Sequence, residues 1–165
     1  MTTVQVPTTT EREALAGFLL KQQEALIGKV AGVCEEDARK APTASSLSLL
    51  GLLKHAALWE RRWFHLVLTG RLVPGEWPAD ESGDGEEDFE LGDEDTVEGW
   101  TARFRENAAV SREIVAAMDL DTPCGWPRLA HRNLRWVLLH MIEEYARHAG
   151  HADIIRETLD GTRGV

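Results

Sequence analysis

The chain has 165 residues, 43% of them hydrophobic, and its 28 acidic against 18 basic side chains give a formal charge of −10. That composition supplies a core for one ordinary globular domain, read here as residues 1–165. The acidic balance speaks against a grip on phosphate backbones, so no nucleic-acid partner is expected, and no run of about 18 apolar residues suggests a membrane span.

From the N-terminus, Met1 to Pro7 has neither the basic nor the apolar region of a secretory signal, so a cytoplasmic location is expected. Thr10 followed by Glu13 forms a capping box, and Leu15, Leu19, Leu26 and Val30 trace one face of a helix over 11–32. Pro42 and the Thr-Ala-Ser-Ser run close the first connection. Ser46 or Ser48 then caps a second helix from Leu49 to Leu68, stopped by Gly70. Residues 71–94 carry ten carboxylates against Arg71 alone, with two prolines and four glycines, and are expected to form an irregular, solvated acidic loop. Asp95 or Thr96 caps a third helix from Val97 to Met118. The connection over 121–132 is rich in turn residues, and Asn133 caps a fourth helix from Leu134 to about Leu159, terminated by Gly161. Period-two alternation is absent. The expected fold class is all-α, a four-helix bundle. Cys34 and Cys124 stand far apart, outside any C-x-x-C spacing, and read as structural thiols.

The fourth helix puts polar residues where a core stripe should be. With Glu144 at zero on a helical wheel, Val137 and Ile155 fall near about +20°, His148 near about +40°, His151 near about −20° and His140 near about −40°. A carboxylate among Val, Met and Ile costs several kcal/mol unless a cation or strong donors meet it. Glu144 and His148, four residues apart, converge on one point, and His55 on the second helix shares a stripe with Ser48, Leu52, Trp59 and Leu66. Two imidazoles and one carboxylate suit zinc, with nickel or iron as alternatives, and three protein ligands leave a position open. Taken singly, His55 reads as a core histidine and Glu144 as an ion-pair partner of Arg147 or Arg62; together they read as a metal site. His151 and His140, a turn away, are candidate donors behind the ligands or substitutes for them. His65 and His131 receive no ligand role, and Tyr145 a structural one. Trp59, Arg62 and the 121–132 connection are expected to line the mouth.

The strings LLGLLKHAALWERRWF and LRWVLLHMIEEYARHAGHADIIRE resemble the DinB/YfiT-like superfamily of metal-dependent bundles. A Glu in place of the first histidine of the usual His-x-x-x-His pair is similar to the branch containing mycothiol-dependent maleylpyruvate isomerase. The resemblance covers roughly residues 10 to 160; the chain ends at Val165, where that isomerase continues into a C-terminal domain. It implies a DinB-like bundle, His55, Glu144 and His148 as ligands of a divalent metal, and a homodimer; because a loop of roughly 24 residues can span a helix, the second and third helices can run parallel, and up-down-down-up is the expected order. The expected function is a transferase or isomerase acting on a small-molecule substrate with a low-molecular-weight thiol such as mycothiol as cosubstrate. A metal-dependent hydrolase using His151 or His140 as acid or base, and a noncatalytic, stress-related bundle with a structural metal, are the alternatives.

Overall fold

The computed structural model describes residues 5–6, 10–71 and 86–164, the side chain of Glu86 excepted. Four long helical elements dominate: α1 (Glu11–Val30), α3 (Leu49–Glu60), α4 (Val97–Ala117) and α5 (Leu134–Asp160). A single turn, α2 (Glu35–Ala38), interrupts the first connection, and short 3-10 turns occur at Glu86–Phe89 and Pro127–Leu129. Among the described residues there is no strand, only an isolated bridge between Pro123 and Asn133. No described helix is long and apolar enough to cross a membrane.

The caps explain the starts. Thr10, Ser48, Thr96 and Asn133 each accept a hydrogen bond from the backbone N–H three residues on, satisfying a donor that the first turn leaves orphaned. Of the alternatives at two starts, Ser48 and Thr96 hold the cap. Asp95 instead receives Lys54 Nζ at 2.9 Å and Trp100 Nε1 at 2.7 Å.

Side-chain bridges fix which ends meet. Arg135 at the start of α5 donates to Glu11 at the start of α1 (2.7 Å), and Arg156 late in α5 donates to the Lys29 carbonyl (2.8 Å), so these helices run the same way. Lys54 meets Asp95 just ahead of α4, and His65 meets the Asn107 carbonyl at 3.1 Å, so α3 and α4 also run together. Tyr145 reaches back to the Ala56 carbonyl, and the Trp63 ring meets His140, so α5 opposes α3. Between them Leu50, Leu53, Phe64, Phe104, Leu138, Met141 and Tyr145 are fully buried. Each such large apolar side chain contributes about 1.5–3 kcal/mol by leaving water.

The second long helix departs from expectation at its midpoint. From Arg61 to Leu68 it winds as a π-helix, whose i→i+5 bonds widen the turn, and buries Trp63, Phe64, Leu66, Val67 and Leu68. It stops at Gly70, whose φ of +73° suits glycine. The 121–132 connection docks at this end through Gly125 N–H to Leu68 O and Trp126 N–H to Val67 O, both 3.0 Å. A Cβ on either Gly70 or Gly125 would fall within 2.8 Å of the other segment's backbone. The connection is therefore anchored to the last turn of the second long helix, about twelve residues beyond His55.

At the junction with the π segment lies Glu60, fully buried. Gln23 Nε2 donates to its Oε1 (2.9 Å) and the Tyr145 hydroxyl to its Oε2 (2.5 Å). Burial pushes the Glu60 carboxyl up, while these donors oppose the rise. Tyr145 thus has the structural part expected of it. Tyr145→Phe, which keeps the ring and removes this donor, is expected to lower unfolding stability by about 1–3 kcal/mol in denaturant titration. An unchanged midpoint would show that the hydroxyl contributes nothing.

The acidic stretch is not uniformly irregular or solvated. Residues 72–85 lie outside the described residues, but Glu86–Phe89 forms a 3-10 turn and Asp88 is buried. Lys54 Nζ donates to Glu90 O at 2.6 Å, pinning the segment to α3.

Candidate metal centre

His55 projects from the middle of α3, and Glu144 and His148 from successive turns of the opposed α5. Their exposures are 3%, 8% and 7%, which takes all three out of bulk water. One ligand atom from each lies within 4.8 Å of the others. His55 Nε2 stands 3.2 Å and His148 Nε2 2.9 Å from the same oxygen, Glu144 Oε1, while Arg147 Nη1 donates to Oε2 at 3.0 Å. The donors that a buried carboxylate requires are therefore present, and both nitrogens face one point.

The protonation states follow from these contacts. Hydrogen bonds from His148 and then His55 hold the Glu144 carboxyl far below its usual range, against desolvation. Burial pushes His55 down toward the neutral imidazole, opposed by its bond to Glu144. The centre is an ionised carboxylate with two ring nitrogens, a donor set that fits a divalent metal ion. Nδ1 of His55 and of His148 is buried without a hydrogen-bond partner among the described residues. In this structure Nε2–H of each ring donates to Glu144, and coordination through Nε2 would move the proton to Nδ1.

Aromatic rings enclose the group. Phe89 stacks on His55 with centroids 4.2 Å apart and planes 12° apart, Trp59 lies 5.1 Å away, and the two imidazoles meet edge-on at 4.7 Å. His140 stacks instead on Trp136 (4.9 Å) and meets Trp63 edge-on (4.5 Å); His151 packs edge-on against His148 at 5.5 Å. Neither enters the three-residue group. Burial lowers the pKa of both. His65 is occupied by Asn107 and Ser111, and His131 is exposed. Arg62 does not pair with Glu144 but holds Asp88.

Asp88 and Phe89 were not foreseen as part of this region. The only local signal was an aromatic residue set among carboxylates. Their approach depends on Gly51, where a Cβ would lie 2.9 Å from Phe89 O and 3.1 Å from Ser48 Oγ. Phe89 also borders a cleft of mixed character lined by Arg39, Ser46, Leu47, Ser48, Glu90 and Leu91, which none of the three grouped residues lines.

One histidine from the second long helix and a Glu-x-x-x-His pair from the last, gathered in an all-helical chain, fit the DinB/YfiT-like superfamily of the sequence resemblance, and the family match agrees with it. Within it the chain belongs to the mycothiol-S-transferase family, whose family model matches residues 14–161. No curated protein matches it.

Proposed function

We propose that this protein is a divalent-metal-dependent S-transferase that uses mycothiol or a close low-molecular-weight thiol to modify a small electrophilic substrate. The observation carrying the proposal is the convergence of His55 Nε2 and His148 Nε2 on Glu144 Oε1 in a chain of this family. The reading assigns His55, Glu144 and His148 as the ligands of a zinc ion, nickel or iron being the alternatives, in a DinB-like four-helix bundle of up-down-down-up order. The paired ends of α1 with α5 and of α3 with α4 support that order.

Bound there, the ion supplies Lewis acidity that lowers the pKa of a thiol and keeps it as thiolate. The chain's own residues do the rest. Glu144 offsets the cation's charge, with one oxygen steadied by Arg147. Phe89 and Trp59 wall off the His55 ring from water. Transfer forms a carbon–sulfur bond, expels the electrophile's leaving group and releases the thiol proton to solvent. Three ligands leave room for that thiol, and His151, the candidate fourth ligand or general base of the hydrolytic and structural readings, stands outside the group.

A cytoplasmic homodimer completes the proposal. The dimer rests on the family resemblance and on two-fold pairs being the commonest closed assemblies, and a monomer by sedimentation at every loading would refute it. The test of function uses zinc-loaded and metal-free protein with mycothiol. Zinc-loaded protein is expected to bind mycothiol in calorimetry and to accelerate its conjugation to an aryl chloride, with both effects lost in His55→Ala. Equal behaviour of the two forms would overturn the assignment.

A further inference from the structure

The acidic segment ahead of α4 brings one carboxylate into contact with the centre. Asp88 is 7% exposed, unlike the exposed Glu87 and Glu90 on either side of its turn. Arg62 grips it with both terminal nitrogens, Nη2 to Oδ1 at 2.8 Å and Nη1 to Oδ2, and Trp59 Nε1 donates to Oδ2 at 3.2 Å. The same Oδ2 lies 3.8 Å from His55 Nδ1, a buried nitrogen with no hydrogen-bond partner among the described residues. Phe89, the next residue, lies parallel to the imidazole and fixes its plane.

We propose that Asp88 is a positioning residue: it takes the Nδ1 proton of His55 in a hydrogen bond when Nε2 binds the metal, and so orients that ring and raises its basicity. The proposal rests on the metal-site reading above. Without metal, Nε2–H of His55 donates to Glu144 and the bare Nδ1 faces Asp88 at a distance too long for a bond. Coordination through Nε2 requires the proton on Nδ1, where a carboxylate already clamped by Arg62 and Trp59 awaits it. Carboxylates placed behind a ligating histidine fix its tautomer, and their loss typically lowers metal affinity by about 10–100-fold. His148 has no such carboxylate among its described contacts, so the two imidazoles are supported unequally. Arg62 serves the site indirectly, by aiming Asp88.

The test compares zinc affinity, measured by competition with a chromophoric chelator, in wild type, Asp88→Asn, Asp88→Glu and Glu87→Gln. Asp88→Asn keeps the shape and is expected to weaken zinc by about 10–100-fold. Asp88→Glu, which keeps the charge, should recover part of that loss, and Glu87→Gln should match wild type. A second readout is the ¹⁵N spectrum of the zinc-loaded histidines: the His55 Nδ1 signal should move in Asp88→Asn while that of His148 stays. A merely structural Arg62–Asp88 bridge would lower the melting temperature of Asp88→Asn without changing either readout, and that result overturns the inference. If wild type takes up no zinc, the site reading falls and this inference with it. If wild type binds zinc and Asp88→Asn binds it equally, only the inference falls.

Discussion

Alanine at His55, Glu144 or His148 is expected to reduce metal content to background after dialysis, with affinity down by more than roughly 100-fold, because losing even a residue behind a ligand costs about 10–100-fold. His65→Ala and His131→Ala should retain wild-type occupancy. His65 is spent on the Asn107 carbonyl and Ser111, and His131 is exposed, so neither takes part in the converging set. The controls separate loss of a ligand from general loss of histidine. Equal occupancy in wild type and all three variants would reduce the centre to a polar seam between α3 and α5.

Zinc should also raise the melting temperature steeply. An ion that binds only the native state at about 1,000 times its dissociation constant adds about 4 kcal/mol, which in a domain of this size corresponds to roughly 8–16 °C. A chelator should remove the gain, and the three ligand variants should lack it. In metal-free protein the pH dependence has a definite sign. The His55 pKa is lowered from 6.5 and the Glu144 pKa from 4.5, so below each of these values the unfolded chain binds more protons than the folded one. Stability should fall on acidification from about pH 6.5, and again below about 4.5 as Glu144 nears its folded pKa. Burial depresses His65, His140 and His151 in the same direction, whereas Glu60, raised by burial, acts the other way. Glu144→Gln should flatten the lower part of the curve. A thermal scan series in which zinc shifts nothing, or in which Glu144→Gln changes nothing below pH 4.5, would contradict this account.

What could be read from the sequence was local. Caps reveal themselves over three residues and a helical face over two turns, so Thr10, Asn133 and the α5 stripe were legible without a structure, and the second cap was narrowed to Ser46 or Ser48. The wheel also brought Glu144 and His148 together and nominated His55. For His140 and His151 it gave the right face but carried no axial term, and a helical turn advances about 5.4 Å. The remaining features depend on distant partners. Glu60 is buried because Gln23 and Tyr145 arrive from other helices, and Asp88 because Arg62 and Trp59 reach out from the π segment and the turn before it. A run of carboxylates reads as solvated until its partners are known. The π-helix itself has no propensity signature; its residues would serve an ordinary helix equally well.

Gly51 sets two demands against each other at a single missing methyl group. Helix propensity alone would favour alanine there by up to about 1 kcal/mol. Yet the space that methyl would need belongs to the Phe89 carbonyl, 2.9 Å away, and the turn that owns this carbonyl also carries the ring over His55 and the carboxylate behind it. Selection for a sturdier helix and selection for a well-held imidazole therefore favour different residues at this position. An engineer optimising for heat resistance alone would be drawn to the substitution that unseats the acidic turn. Robustness of the scaffold and integrity of the centre are, at residue 51, separate quantities.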